Sequence, residues 1–69
     1  MPDHPQLVNR LKELRTAAGL TQAELALQIR VSRKTINTIE NGVFVPSTIL
    51  ALRLSEALRV PVESIFRLP

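Results

Sequence analysis

The chain has 69 residues, enough for one small domain, and 45% of them are apolar, which favours a folded chain. It has no cysteine, so a disulfide framework and a thiolate metal site are excluded. The sequence contains no apolar run of about 18 residues and its N-terminal stretch is charged, so we expect no membrane span or signal segment and a cytoplasmic location. The net charge of +3 favours a polyanionic partner. Proteins that bind single strands usually stack the bases on aromatic side chains, and aromatic residues make up only 3% of this chain. Duplex DNA is therefore the better candidate partner.

Apolar spacing and turn residues predict an all-α, five-helix domain that takes up the whole chain. One apolar stripe, with spacings of four, three and four, predicts a first helix over 5–18 and consists of Leu7, Leu11, Leu14 and Ala18. Pro5 suits its first turn. Thr21 and Glu24 have the spacing of a capping box, in which each side chain accepts the other residue's backbone N–H. This pattern begins a second helix, predicted over 22–29.

The remaining helices are predicted from their caps and stop signals. Ser32 is a favourable N-cap for a third helix over 33–41. So few residues separate the second and third helices that they are expected to cross steeply, as in a helix-turn-helix. The apolar segment 43–45 is too short for a sheet, and further helices are predicted over 48–58 and 62–66. The predicted core consists of Leu11, Leu14, Leu25, Ala26, Ile29, Ile36, Ile39, Leu50, Leu54, Leu58, Val60, Ile65 and Phe66.

The outward face of the third helix carries long donors and amides, which suit the major groove of DNA. Arginine and lysine donate to guanine O6 and N7, and asparagine pairs with adenine N6 and N7. Arg33 and Lys34 lie in the first turn, where a recognition helix usually touches bases. Gln22 begins the second helix, where backbone amides bind phosphate. A short helix with a polar outer face is also typical of a face that contacts only water. The pattern alone therefore leaves both interpretations open, a DNA-binding face and a solvent-exposed face.

The segment TQAELALQIRVSRKTINTIENG, residues 21–42, resembles the phage repressor and Cro-type helix-turn-helix family, also called the Xre family. The chain looks most like its small stand-alone members, which are transcriptional regulators. The resemblance implies base contacts from Arg33, Lys34, Thr38 and Asn37, and phosphate contacts from Gln22, Thr35, Asn41 and Arg10. It also implies a structural ion pair between Arg15 and Glu40.

Four features depart from the family pattern. Arg30 stands where the turn usually has glycine, and a left-handed backbone there costs a non-glycine residue on the order of 1 kcal/mol. Arg59 replaces the usual Gly or Asn at the end of the fourth helix. Pro61 replaces a capping hydroxyl. The loop at 43–45 is apolar where relatives are polar or basic, which puts its contacts with DNA in doubt.

The apolar residues Phe44, Val45, Ile49 and Leu52 lie off the main helix stripes. They predict either an exposed dimer contact or a small extension of the core. A homodimer on a near-palindromic operator fits, because one helix reads too few base pairs. Two alternatives remain open: the antitoxin of a toxin pair, and a protein-interaction module that has lost DNA binding. An enzyme, a metal site and a cofactor are not expected, since His4 stands alone and the acids are scattered.

Overall fold

The computed structural model describes residues 7–69, so Pro5 and His4 lie outside the described part. This part contains five helices and two short strands. In chain order they are β1 Val8–Asn9, α1 Leu11–Ala17, α2 Gln22–Ile29, α3 Arg33–Glu40, α4 Thr48–Leu58, α5 Val62–Ile65 and β2 Phe66–Arg67. The fold is all-α apart from the strand pair, and among residues 7–69 no helix is long and apolar enough to cross a membrane.

The two ends of the described chain pair as a small antiparallel sheet, which corrects the predicted limits of the first and fifth helices. Asn9 of β1 lies opposite Phe66 of β2. The Arg10 N–H then donates to the Ile65 carbonyl at 2.9 Å. Asn9 Oδ1 accepts the Leu11 N–H at 3.0 Å and satisfies the first turn of α1. These bonds require extended backbone at residues 8 and 9, so α1 begins at Leu11, and Phe66 belongs to a strand.

Hydroxyl side chains cap the three central helices, and these caps set where the helices begin. Thr21 accepts the Glu24 N–H at 3.0 Å, and Glu24 Oε1 accepts the Thr21 N–H at 2.8 Å. The bond from the Thr21 N–H to the carboxylate, with a smaller contribution from the Thr21 hydroxyl, holds the pKa of the Glu24 carboxyl below its ordinary value. Ser32 and Ser47 make the equivalent single bond at 3.2 Å for α3 and α4. The Pro61 position before α5 makes no side-chain cap.

Each of the first four helices is followed, within two residues of its end, by a residue in the left-handed conformation. Gly19 and Gly42 suit this conformation because they have no Cβ. Arg30 has φ 63° and Arg59 has φ 58°, so these two turns carry strain of about 1 kcal/mol each. The α2–α3 turn thus has the left-handed backbone considered above for Arg30, with an arginine in place of the glycine that the family resemblance implies.

The core lies where the five helices meet. Ten apolar residues are buried in the described part of the chain, and all ten belong to the set predicted from the sequence. The other three predicted members, Leu14, Leu58 and Val60, are partly buried and pack against that cluster. A short connection and shared core contacts therefore fix α3 against α2, with one face of α3 turned outward.

Candidate nucleic-acid interface

Small and β-branched side chains hold α2 and α3 together. Ala26 is buried on α2, and Ile36 and Ile39 are buried on α3. The Val31 N–H donates to the Ala26 carbonyl at 3.0 Å and closes the turn before Ser32. The absence of a large side chain at Ala26 lets the two helices approach closely. This packing leaves the opposite face of α3 free of protein contacts from the core.

The outward face of α3 presents the residues predicted to contact DNA. Arg33, Lys34, Asn37 and Asn41 are exposed, and Thr38 is half-buried. Thr38 Oγ1 donates to the Thr35 carbonyl at 2.9 Å, which leaves its methyl group and its oxygen lone pairs for an outside partner. The Thr35 and Ser32 hydroxyls lie 3.0 Å apart.

The charge of this face is one-sided. The first turn of α3 contains Arg33 and Lys34 and no acidic residue. Cations at a helix N-terminus face the positive end of the helix dipole, an arrangement that is mildly destabilising in isolation. By contrast, α2 has Glu24 in its first turn, as helix stability favours. The stability of the helix therefore does not explain why the first turn of α3 is basic.

Gln22 joins α2 to the outward face of α3. Its Nε2 donates to Glu40 Oε1 at 3.0 Å and to Asn37 Oδ1 at 3.3 Å. Its Oε1 accepts from Arg33 NH1 at 3.4 Å. Both amide hydrogens already have acceptors, so a phosphate contact by this side chain would replace the bond to Asn37. The family resemblance implies phosphate binding by Gln22 and does not indicate this bridging position.

Arg15 and Glu40 form an ion pair between α1 and α3, with Nε 2.6 Å from Oε2. Arg15 NH2 donates to Oε1 at 3.2 Å, and NH1 donates to the Leu20 carbonyl at 2.8 Å. Burial alone would raise the pKa of the Glu40 carboxyl. The hydrogen bonds from Arg15 and Gln22, with the charges of Arg15 and Lys12, outweigh burial and hold that pKa below its ordinary value. Glu40 is therefore ionised at neutral pH.

Asn9 has a role that the sequence pattern does not predict. Its Nδ2 donates to the Ile39 carbonyl at 2.7 Å, which ties β1 to the C-terminal turn of α3. An asparagine two residues before a helix is a recognisable capping signal for α1, but no local pattern indicates the second bond. Arg10, predicted to contact phosphate, is the residue just before α1. Its NH2 lies 3.7 Å from Glu13 Oε2.

The predicted dimer residues are exposed, but they do not all border the same surface groove. Val45 and Leu52 line an apolar groove of about 250 Å³ beside α5 and β2. Phe44 lines a different groove, of about 440 Å³, together with Lys34 and Thr38 of α3. Ile49 projects from α4 with 65% of its surface exposed. The apolar loop thus borders both the α3 face and the α4 surface.

A helix-turn-helix family model matches residues 11–65, which takes in all five helices. The chain belongs to the Cro/C1-type helix-turn-helix family. It is 40% identical over 58 residues to the uncharacterized HTH-type transcriptional regulator YgzD of Bacillus subtilis (strain 168), covering 84% of this chain and 88% of that protein. It is 48% identical over 57 residues to an uncharacterized HTH-type transcriptional regulator of Methanothermobacter thermautotrophicus, covering 81% and 83%.

Solved structures of two bacterial regulatory proteins are similar to this fold. The restriction-modification controller protein C.AhdI from Aeromonas hydrophila matches with a TM-score of 0.74 and 37% identity, covering 78% of this chain and 82% of that chain. The clp gene regulator ClgR from Corynebacterium glutamicum has a TM-score of 0.74 and 31% identity, covering 78% of this chain and 57% of that chain. The protein is a helix-turn-helix transcriptional regulator.

Proposed function

We propose that this regulator places α3 in the major groove of duplex DNA and that Arg33 and Lys34 read base edges there. The observation that carries the proposal is the basic first turn of α3, which is exposed and has no acidic neighbour in that turn. Such a turn is unfavourable at the positive end of a helix unless an anion is bound. Duplex DNA supplies both the phosphates and the acceptors on guanine that arginine and lysine prefer.

The remaining residues of the face complete a footprint. Thr38 offers its methyl group and hydroxyl to bases, and Asn37, whose Oδ1 already accepts from Gln22, offers its amide donors. We assign phosphate contacts to Thr35, Asn41 and Arg10, and to the Gln22 backbone N–H at the start of α2. These contacts fix the position of the helix, and the bases in the groove supply the specificity.

Selection of bound duplexes from a random pool gives the preferred site, and titration of variants then tests the proposal. Arg33→Ala is expected to cost roughly 1–3 kcal/mol on the preferred site and to relax the preference at one base pair. The matched control is Arg53→Ala, which removes the same charge from α4 beside the C-terminal end of α2. Equal loss on preferred and scrambled duplexes would make Arg33 a backbone contact. Wild-type binding that does not weaken with added salt would contradict DNA binding itself.

We further propose a homodimer joined through Val45, Ile49 and Leu52, with Phe44 at the margin. Large apolar side chains are exposed together here: Val45 at 62%, Ile49 at 65% and Leu52 at 57%. Exposed apolar clusters of this kind mark protein interfaces. A two-fold interface matches the symmetry of a near-palindromic operator with half-sites about 34 Å apart.

Sedimentation velocity over a range of concentrations tests the dimer. We expect Leu52→Glu to shift the protein to monomer, because it would place two carboxylates in an apolar interface. Glu63→Gln, an exposed change on α5, serves as the control. A wild type that stays monomeric at high micromolar concentration, with and without its operator, would refute this part of the proposal.

The same exposed residues also support a second candidate, an antitoxin that covers them with a toxin. Its distinguishing observation would be a stoichiometric partner encoded beside this chain that co-purifies with it and blocks dimer formation. A third candidate is a protein-interaction module that has kept the fold and lost DNA binding. It would show no salt-dependent binding to duplex DNA, which distinguishes it from the regulator and from the antitoxin. We propose a cytoplasmic location, because the proposed partner is duplex DNA.

A further inference from the structure

We infer that Glu40 is a positioning residue for Arg33 and that it acts through the side-chain amide of Gln22 to set base selectivity. The inference rests on the proposed reading of DNA by Arg33. It assigns to a nearly buried carboxylate, which touches no DNA in that arrangement, a part in the choice of base.

The contacts form a continuous chain from the domain interior to the reading face. The Glu40 side chain is 3% exposed and accepts from Arg15, which is 11% exposed. Glu40 Oε1 also accepts from Gln22 Nε2 at 3.0 Å. On its other side Gln22 Oε1 lies 3.4 Å from Arg33 NH1. Glu40, Gln22 and Arg33 therefore lie in series, and Arg15 holds the first of them in place.

Chemistry fixes the direction in which the Gln22 amide points. An ionised carboxylate only accepts hydrogen bonds, so the amide nitrogen has to face Glu40 and the amide oxygen has to face away. The oxygen is then the atom presented to Arg33, whose guanidinium only donates. The lowered pKa of the Glu40 carboxyl keeps it an acceptor at neutral pH. Reversing the amide would set donor against donor at the Arg33 end and acceptor against acceptor at the Glu40 end.

Holding one end of the guanidinium has a consequence for recognition. With NH1 engaged by Gln22, the Arg33 guanidinium retains Nε and NH2, which can donate side by side to guanine O6 and N7. An arginine fixed before binding loses less rotamer freedom on contact and tolerates fewer alternative partners. Lys34, one residue on, has no such contact among the described residues, so its selectivity is independent of Glu40.

The test compares discrimination ratios, which a change of stability does not move. A discrimination ratio is the Kd on a site with one altered base pair divided by the Kd on the preferred site. Each variant has two such ratios, one for the pair read by Arg33 and one for the pair read by Lys34. These pairs are identified with Arg33→Ala and Lys34→Ala. A bidentate contact discriminates by about 5- to 140-fold. We expect Glu40→Gln, which can donate as well as accept, to lower the ratio at the Arg33 pair about threefold or more and to leave the Lys34 ratio unchanged.

Glu63→Gln removes one exposed carboxylate from α5 and is the charge-matched control, with both ratios expected to equal those of the wild type. If Glu40→Gln is unfolded at the assay temperature, Gln22→Met replaces it. That variant keeps the ion pair, removes the acceptor and is expected to lower the same ratio. A discriminating wild type with an unchanged Arg33 ratio in the folded variant would overturn this inference alone. A wild type that binds every duplex alike would overturn the proposed function, and this inference with it.

Discussion

Replacing Arg15 with methionine removes the cation of the α1–α3 ion pair while keeping a long apolar side chain. The variant loses two hydrogen bonds to Glu40 and one to the Leu20 carbonyl. The Glu40 carboxylate, 3% exposed, then keeps only the bond from Gln22. Removing one partner of a buried pair costs about 3–5 kcal/mol, because the remaining charge is left uncompensated. A domain of this length has a total stability of roughly 3–10 kcal/mol, so Arg15→Met is expected to be marginally folded at 25 °C.

Urea and thermal unfolding followed by circular dichroism measure this loss. At about 4–8 °C per kcal/mol for a small domain, we expect the Tm to fall by roughly 12 °C or more. Arg10→Met is the control, since its pair with Glu13 spans 3.7 Å and is 42% and 69% exposed, and its loss is expected to cost under about 1 kcal/mol. Arg15→Met combined with Glu40→Leu is expected to be more stable than Arg15→Met alone. An Arg15→Met variant no less stable than Arg10→Met would refute the reasoning.

Three further predictions concern stability. The pKa of Glu40 is lowered in the folded state, so its contribution is present at neutral pH and is lost as pH falls below the unfolded glutamate value of about 4.3; urea titrations from pH 8 to 3 are expected to give a shallower acid slope for Glu40→Gln. Arg30→Gly relieves the left-handed turn and is expected to raise stability by about 0.5–1 kcal/mol in thermal unfolding, and an unchanged Tm would show that the turn is not strained. Asn9→Ala leaves the Ile39 carbonyl without its 2.7 Å donor and is expected to cost about 1–3 kcal/mol, whereas Asn41→Ala at the exposed end of α3 is the near-neutral comparison.

The core and the α2–α3 turn could be predicted from the sequence because local signals agree there. Apolar residues repeat at helical spacing, and hydroxyl caps at Thr21 and Ser32 mark where two helices begin. The short connection leaves little freedom for the way the two helices pack. The same agreement explains why every residue found buried within 7–69 belongs to the predicted core.

The strand pair could not be predicted because its two halves lie at opposite ends of the chain. Leu7 stands four residues before Leu11, a spacing that fits a helix and makes Leu7 the first residue of the predicted stripe. Leu7 does pack against the core, but it precedes β1 and reaches the core from outside α1. A single apolar residue at the right distance is compatible with either geometry. Only the pairing of β1 with Phe66 and Arg67 distinguishes them.

The apolar loop required the structure for a different reason. Each left-handed helix end is followed by an apolar residue, a common accompaniment of that turn. Three of these apolar residues, Leu20, Val31 and Val60, pack against the core. The remaining one, Val43 after α3, is 78% exposed. One local motif therefore places three side chains inside and one outside, so the motif alone does not determine burial. The next helix begins two residues after Leu20, Val31 and Val60, but α4 begins only five residues after Val43. Val43 and Phe44 instead border the groove that Lys34 and Thr38 of α3 also line. The apolar loop is thus a surface segment beside α3, and its burial could not be predicted from the turn that precedes it.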